Sequence, residues 1–351
     1  MNKGKREEFP DNWAELRDLA RENFKQSNLA AADSWTHLAG NEEMINTKKR
    51  NYRALDEIGF HLKTIHQANR DNVDTRICLL GQDVEIPIAV APMSAGINDV
   101  CENVFLEIGE GSKLAGSVAS IGYPNSIQNI KSIVSTGAPV FHIIKPLKEL
   151  DRLIDLIKQA EDMNCFAVGI DVDSIMGLRV EGGKKLFDEL CRPLTIEELK
   201  IIREQVKIPF IIKGIMSVED AQKCLEIGAN AIVVSNHAGY SLDYSLSSLE
   251  VLPKISSSVG HQMQIIFDSG VRLGGDVLKA LALGADAVLI GQMALWGLAI
   301  GRREGLAWIL RQMEDELKRT MVLTGVKKLS EADKNILVPL GEIGENILEQ
   351  L

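Results

Sequence analysis

At 351 residues, 45% hydrophobic and 25% charged, the chain has a globular composition and enough length for one large domain or two ordinary ones. A net charge of −10, with no basic block longer than Lys48-Lys49-Arg50, excludes a general phosphate-backbone binder, so no nucleic-acid partner is expected. No apolar run reaches membrane-spanning length, the opening residues hold no apolar signal core, and the five scattered cysteines form no CxxC pair. These features predict a cytoplasmic protein with reduced thiols, no membrane partner and no metal site.

Taken in order, residues 12–26 set Trp13, Leu16, Leu19, Ala20 and Phe24 on one helical stripe. A second helical segment is expected at 30–39, then an irregular polar stretch to about residue 75 and a small hairpin at 77–81. From residue 86 short apolar runs recur, at 86–91, 117–121, 140–144, 167–172, 210–213, 231–235, 265–267 and 287–290. Amphipathic helical stretches separate them, among them 147–163, 195–206, 218–227 and 275–283. Strands alternating with helices imply a parallel sheet, and eight evenly spaced runs favour a closed (β/α)8 TIM barrel over an open doubly wound sheet. Thr195 with Glu198, and Ser217 with Asp220, have the spacing of helix-capping boxes.

The long connection at 174–194, rich in Gly and Lys, is expected to be a lid over the active face. The resulting division is an N-terminal helical extension at 1–80, the barrel at 81–326 and a C-terminal tail at 327–351. The tail is expected to pack outside the barrel or to mediate subunit contacts.

The sixth run ends in Val233-Val-Ser-Asn-His-Ala-Gly-Tyr-Ser-Leu-Asp243, a polar cluster with a histidine at the mouth of a buried strand. Barrel enzymes place chemistry there, although a lone histidine is more often an ordinary cap at a strand-to-loop exit. Lys213 closes the fifth run, with a snorkelling stem as its plainer explanation. Asp171 and Asp173 bracket the end of the fourth; a buried carboxylate needs a partner, and His237 is a natural one. A carboxylate that fixes the imidazole tautomer prepares a general base. After the seventh run, Asp268-Ser-Gly-Val-Arg-Leu-Gly-Gly-Asp276 joins a glycine loop to Arg272, and Leu289-Ile-Gly-Gln292 ends the eighth. Glycine loops after strands seven and eight are where barrels bind phosphate.

Together Ile208-Pro-Phe-Ile-Ile-Lys-Gly214, Ala231-Ile-Val-Val-Ser-Asn-His-Ala-Gly239, Asp268-Ser-Gly-Val-Arg272 and Val277-Leu-Lys-Ala-Leu-Ala-Leu-Gly-Ala-Asp-Ala-Val-Leu-Ile-Gly291 resemble the FMN-dependent 2-hydroxy-acid oxidases and dehydrogenases, as a divergent bacterial member. The resemblance implies FMN as cofactor, a small-molecule substrate, oxygen or another electron acceptor, and a homo-oligomer of the tetrameric kind. It further implies His237 as the base, Asp173 as its partner and Lys213 beside the flavin. Pro92, Met93, Ser120, His142, Asp171, Ser235, Asp268, Gly270, Arg272, Gly291 and Gln292 fall at flavin-contacting positions.

Several substrate-side positions depart from the family pattern. The arginine three residues after the histidine is Tyr240, which follows Gly239; an N-terminal tyrosine is Thr36; a tyrosine after the third strand is Ile144. In the flavin set a glutamine is His142, a threonine is Asp171 and an arginine is Gln292. The expected activity is therefore dehydrogenation of an alcohol or amine carbon in a substrate other than a simple 2-hydroxy acid. A conventional lactate- or glycolate-type oxidase holding its carboxylate with Arg179 or Lys145 is the alternative, and a flavin-binding isomerase or pseudoenzyme is a second one.

Overall fold

The computed structural model describes residues 9–10, 12–26, 46–176, 178–179, 185–186 and 190–350. The expected helix at 30–39, and Thr36 with it, lie outside the described residues. Eight strands form one parallel sheet: β1 (Ile88–Val90), β2 (Ala119–Gly122), β3 (Val140–Ile144), β4 (Ala167–Asp171), β5 (Phe210–Ile215), β6 (Ala231–Val234), β7 (Gln264–Phe267) and β8 (Ala287–Ile290). Their order is β1-β8-β7-β6-β5-β4-β3-β2. A parallel bridge between Ala89 and Val118 joins the two ends, with the Val90 N–H donated to the Val118 carbonyl at 3.0 Å. The sheet is thus the expected (β/α)8 barrel.

Side chains alternate across each strand, and this separates two cores. Phe141, Ile143, Ala167, Ile211, Ala231, Val233, Ile266 and Leu289 fill the lumen. Ile121, Ile144, Val168, Ile170, Ile212, Ile232 and Val234 instead face the surrounding helices. The hairpin of Ile77–Leu79 and Gln82–Val84 closes the lumen from the amino ends of the strands. Its Leu79 and Val84 join the lumen cluster, and the Leu80 N–H reaches Gln264 Oε1 at 2.6 Å.

The helices begin where local chemistry demands. Thr195 and Glu198 form a reciprocal capping box on helix Ile196–Gln205, and Ser217 Oγ accepts the Asp220 N–H at 3.1 Å to open Val218–Ile227. Helix Asn46–Asp56, which the sequence leaves as irregular, lies across the carboxyl end of the barrel. Asn51 and Asn236 exchange amide hydrogen bonds at 2.9 and 2.7 Å, and the Thr47 N–H donates to Asp243 at 2.9 Å. Its buried residues are Thr47, Lys48, Asn51, Ala54 and Leu55, a face too polar for hydrophobic periodicity to register. Helix Gln292–Thr324 breaks at Gly301 and Arg302, where the Arg303 guanidinium donates a fork to the Glu107 carboxylate at 2.8 and 2.7 Å. Beyond it, Leu337–Pro339 pairs antiparallel with Ile58–Phe60, so the tail and the extension share a ribbon outside the barrel.

The alternation corrects two expectations. His142 is cross-strand partner to Ile121 and Val168, both on the helix-facing side, and Ile144 pairs with Ile170 there as well. Neither points into the lumen, where Phe141 and Ile143 occupy the positions on either side of His142. His142 is buried with no hydrogen-bond partner for either ring nitrogen among the described residues, and burial lowers its pKa from 6.5 to about 4.

That depression has a definite sign. The unfolded chain takes a proton on this imidazole near pH 6.5, the folded chain only near pH 4. Stability is therefore lost as pH falls between those values, by roughly 3 kcal/mol at about 1.4 kcal/mol per pKa unit. His142→Leu removes this loss along with two unpartnered polar atoms. Denaturant titrations are expected to show a more stable variant at pH 7 and a flatter slope between pH 6.5 and 4; an unchanged acid slope would exclude this origin.

Candidate active site

At the carboxyl end of the barrel, adjacent strands deliver a compact set of charges. Lys145 follows β3, Asp171 ends β4, Lys213 lies in β5, and His237 stands just past β6. The Lys145 ammonium donates to Asp171 Oδ2 at 2.5 Å and to Ser174 Oγ at 2.9 Å. The Lys213 ammonium donates to Asp171 Oδ1 at 3.2 Å and lies 3.9 Å from Asp268. These three side chains are only 8%, 4% and 3% exposed for Lys145, Asp171 and Lys213, so water screens them little. Burial alone would protonate Asp171, but Lys145, Lys213 and His237 hold its carboxyl well below the ordinary value. Burial likewise opposes the Lys213 charge, yet Asp171, Asp173 and Asp268 raise its pKa above that of an ordinary lysine.

His237 occupies a strained turn. His237, Ala238 and Gly239 all have left-handed backbone, at φ 55, 55 and 87°, a conformation costly for the two residues that carry a Cβ. Hydrogen bonds hold it: Ser235 Oγ accepts the His237 N–H and Ser269 Oγ the Ala238 N–H, each at 3.1 Å. His237 Nδ1 is 3.2 Å from Asp173 Oδ1 and 3.3 Å from the Lys213 ammonium. One nitrogen cannot serve both in the same tautomer. With the proton on Nδ1 it donates to Asp173, Lys213 keeps its bond to Asp171, and Nε2 is left with a lone pair, as a base requires. Ser241 Oγ donates to the other Asp173 oxygen at 2.7 Å and so fixes the carboxylate.

Ligand atoms of Asp171, Asp173 and His237 also fall within 4.8 Å of one another. Two ammonium groups already occupy the two oxygens of Asp171, so a dication there would meet like charge.

Beside these residues, loops after β7 and β8 form a second region. Ser235 Oγ donates to Asp268 at 2.6 Å, and Gly270 has φ 99°, where an added Cβ would press on Asn51 and Leu55 at 3.2 Å. Arg272 lies 4.7 Å over the Tyr52 ring and pairs with Asp56. Its Nε is buried without a hydrogen-bond partner among the described residues. Gly291 caps helix Gln292–Thr324, whose positive end faces the same region, and Tyr52 Oη donates to Gln292 at 2.9 Å. An unsatisfied guanidinium N–H, a helix amino end and glycine-lined loops suit a phosphate. The buried Lys213 ammonium suits a ring that gains negative charge on reduction. These residues therefore fit FMN.

The remaining expected positions are distributed as follows. Ser120 faces the lumen and donates to the Val90 carbonyl at 2.5 Å. Pro92 and Met93 run against Gly122, whose N–H reaches the Met93 carbonyl at 2.7 Å. The Gly239 and Tyr240 N–H groups close the turn onto Asn236 and His237 at 2.9 and 3.0 Å. Arg179 lies in a two-residue ribbon, Leu178–Arg179 paired with Lys185–Leu186, and its side chain is outside the described residues. Sequence reasoning missed Ser174, Ser241, Asn51 and Tyr52. The two serines carry no motif, and the helix residues come from a polar stretch distant in the chain.

The profile of the FMN-dependent dehydrogenase family matches residues 26–185 and 178–339. The 2-hydroxyacid oxidase of Dictyostelium discoideum is 30% identical over 332 residues, covering 86% of this chain and 84% of its own. The 4-hydroxymandelate oxidase of Amycolatopsis orientalis is 30% identical over 298 residues, covering 74% and 82%. A crystal structure of mandelate oxidase superposes with a TM-score of 0.82 at 28% identity, covering 93% of this chain and 97% of that one. A mandelate oxidase variant in the same fold carries a C4a-OH-FMN adduct. Its barrel, its charged strand ends and these matches together make the chain an oxidoreductase of the FMN-dependent dehydrogenase family.

Proposed function

We propose that this enzyme oxidises a carbon bearing a hydroxyl or amino group in a small molecule that is not a simple 2-hydroxy acid. In this reading His237 Nε2 takes the hydroxyl or amine proton. The Nδ1–H donated to Asp173 steadies the imidazolium that results, and Ser241 keeps Asp173 in place. Bound FMN supplies the acceptor for the hydride. The substrate thus gives up a proton and a hydride and leaves as a carbonyl or imine. Oxygen as the electron acceptor is supported by relatives named as oxidases.

Position 240 carries the substrate reading. Where the family places an arginine to grip a carboxylate, this chain has Tyr240. Lys145, a lumen cation that could otherwise hold a carboxylate, already donates to Asp171 and Ser174. A charge-assisted hydrogen bond is worth about 1.5–3 kcal/mol, or about 10- to 100-fold in kcat/KM for each bond lost. Small hydroxy acids have little else to be held by, so they are expected to be poor substrates.

Anaerobic stopped-flow reduction of the holoenzyme tests this directly. Lactate, glycolate and mandelate are expected to bleach the flavin slowly, and Tyr240→Arg is expected to speed at least one of them by tenfold or more. Fast bleaching of the unaltered enzyme, or no gain in a folded, yellow Tyr240→Arg protein, would overturn the reading. For the base, His237→Asn should keep the flavin absorption while reduction by a true substrate slows by about 10²- to 10⁴-fold, the usual contribution of a general base. A variant reduced at the normal rate would remove His237 from that role.

A further inference from the structure

Lys145 and Asp171 form a buried ion pair on the lumen side, and the assigned chemistry of His237, Asp173 and Lys213 gives neither of them a task. The strand register explains how they meet. Phe141 pairs with Ala167 and Ile143 with Gly169, all on the lumen face, so the next lumen positions are Lys145 and Asp171. On the other side Asp171 pairs directly with Lys213. The result is a row of alternating charge, Lys145, Asp171 and Lys213, at 2.5 and 3.2 Å. His237 Nδ1 lies 3.5 Å from the Asp171 oxygen that Lys145 occupies.

We propose that Lys145 is a positioning residue of the redox site, a counter-charge that lets Asp171 hold Lys213 without cancelling the positive field Lys213 presents to the lumen. Asp171 without Lys145 would be an uncompensated anion against both Lys213 and His237. Electrons entering the lumen are favoured by cations and opposed by anions, and around side chains so little exposed both effects are screened only weakly. Lys145 also takes up the Asp171 oxygen nearest His237, which leaves the imidazole to Asp173.

Spectroelectrochemical titration of the bound FMN reads this without any substrate, so its outcome is separate from the substrate reading above. Lys145→Met is expected to make the two-electron midpoint more negative by about 30 mV or more, a tenfold or larger loss in the reduction equilibrium. Asp171→Asn is expected to move it in the opposite direction. The double variant should return to within about twofold of the original constant, because charge balance is restored. Lys145→Arg should stay at the original value.

Should Lys145→Met fail to retain FMN, the dissociation constant of FMN takes over as the measurement, with the double variant expected to recover binding. Single variants that shift in the same direction, or yellow variants with unmoved midpoints, would overturn the proposal. So would a double variant that recovers neither midpoint nor binding.

Discussion

A carboxylate with almost no exposure, Asp171, sits between two ammonium groups, and the rest of the site is arranged around that fact. Unpaired, such a charge would cost several kcal/mol to bury and would take up a proton instead. Two lysines from the neighbouring strands keep it ionised. Because Asp171 occupies Lys213 from one side, the imidazole of His237 is left to Asp173, which is held by a separate donor, Ser241. One buried pairing thus sorts three carboxylates, two lysines and a histidine into distinct roles.

The scaffold makes that sorting possible by giving each end of the barrel a different task. The amino end is plugged by a hairpin through Leu79 and Val84, so the lumen beneath the charges is filled with buried apolar side chains. The carboxyl end is crossed by helix Asn46–Asp56, which contacts the loops after β6, β7 and β8 through Asn51, Tyr52 and Asp56. The strained His237–Gly239 turn is held from both sides, by serines of the barrel and by backbone closure. Strain of this kind persists only where its surroundings over-determine it, and here they do.

Much of this was legible in the chain. Eight short apolar runs separated by amphipathic stretches define the barrel, because a parallel strand covered on both faces must be apolar throughout. His237, Asp173 and Lys213 stand at strand ends, and glycine loops follow β7 and β8; strand-to-loop boundaries can be seen without knowing any contact. Helix Asn46–Asp56 was not legible, since its buried face is largely polar and stabilised by partners nearly 200 residues away in the chain.

The same covering of both faces that reveals the strands conceals their orientation. Val140-Phe-His-Ile-Ile144 has no polar alternation to show which side faces inward, and a shift of one residue exchanges lumen for helix layer. The sequence by itself therefore determined the barrel, the flavin family and the identity of the charged residues. Only the tertiary structure decided that Lys145, and not Ile144 or His142, enters the lumen, because facing is set by hydrogen-bonded register with β2 and β4 rather than by composition.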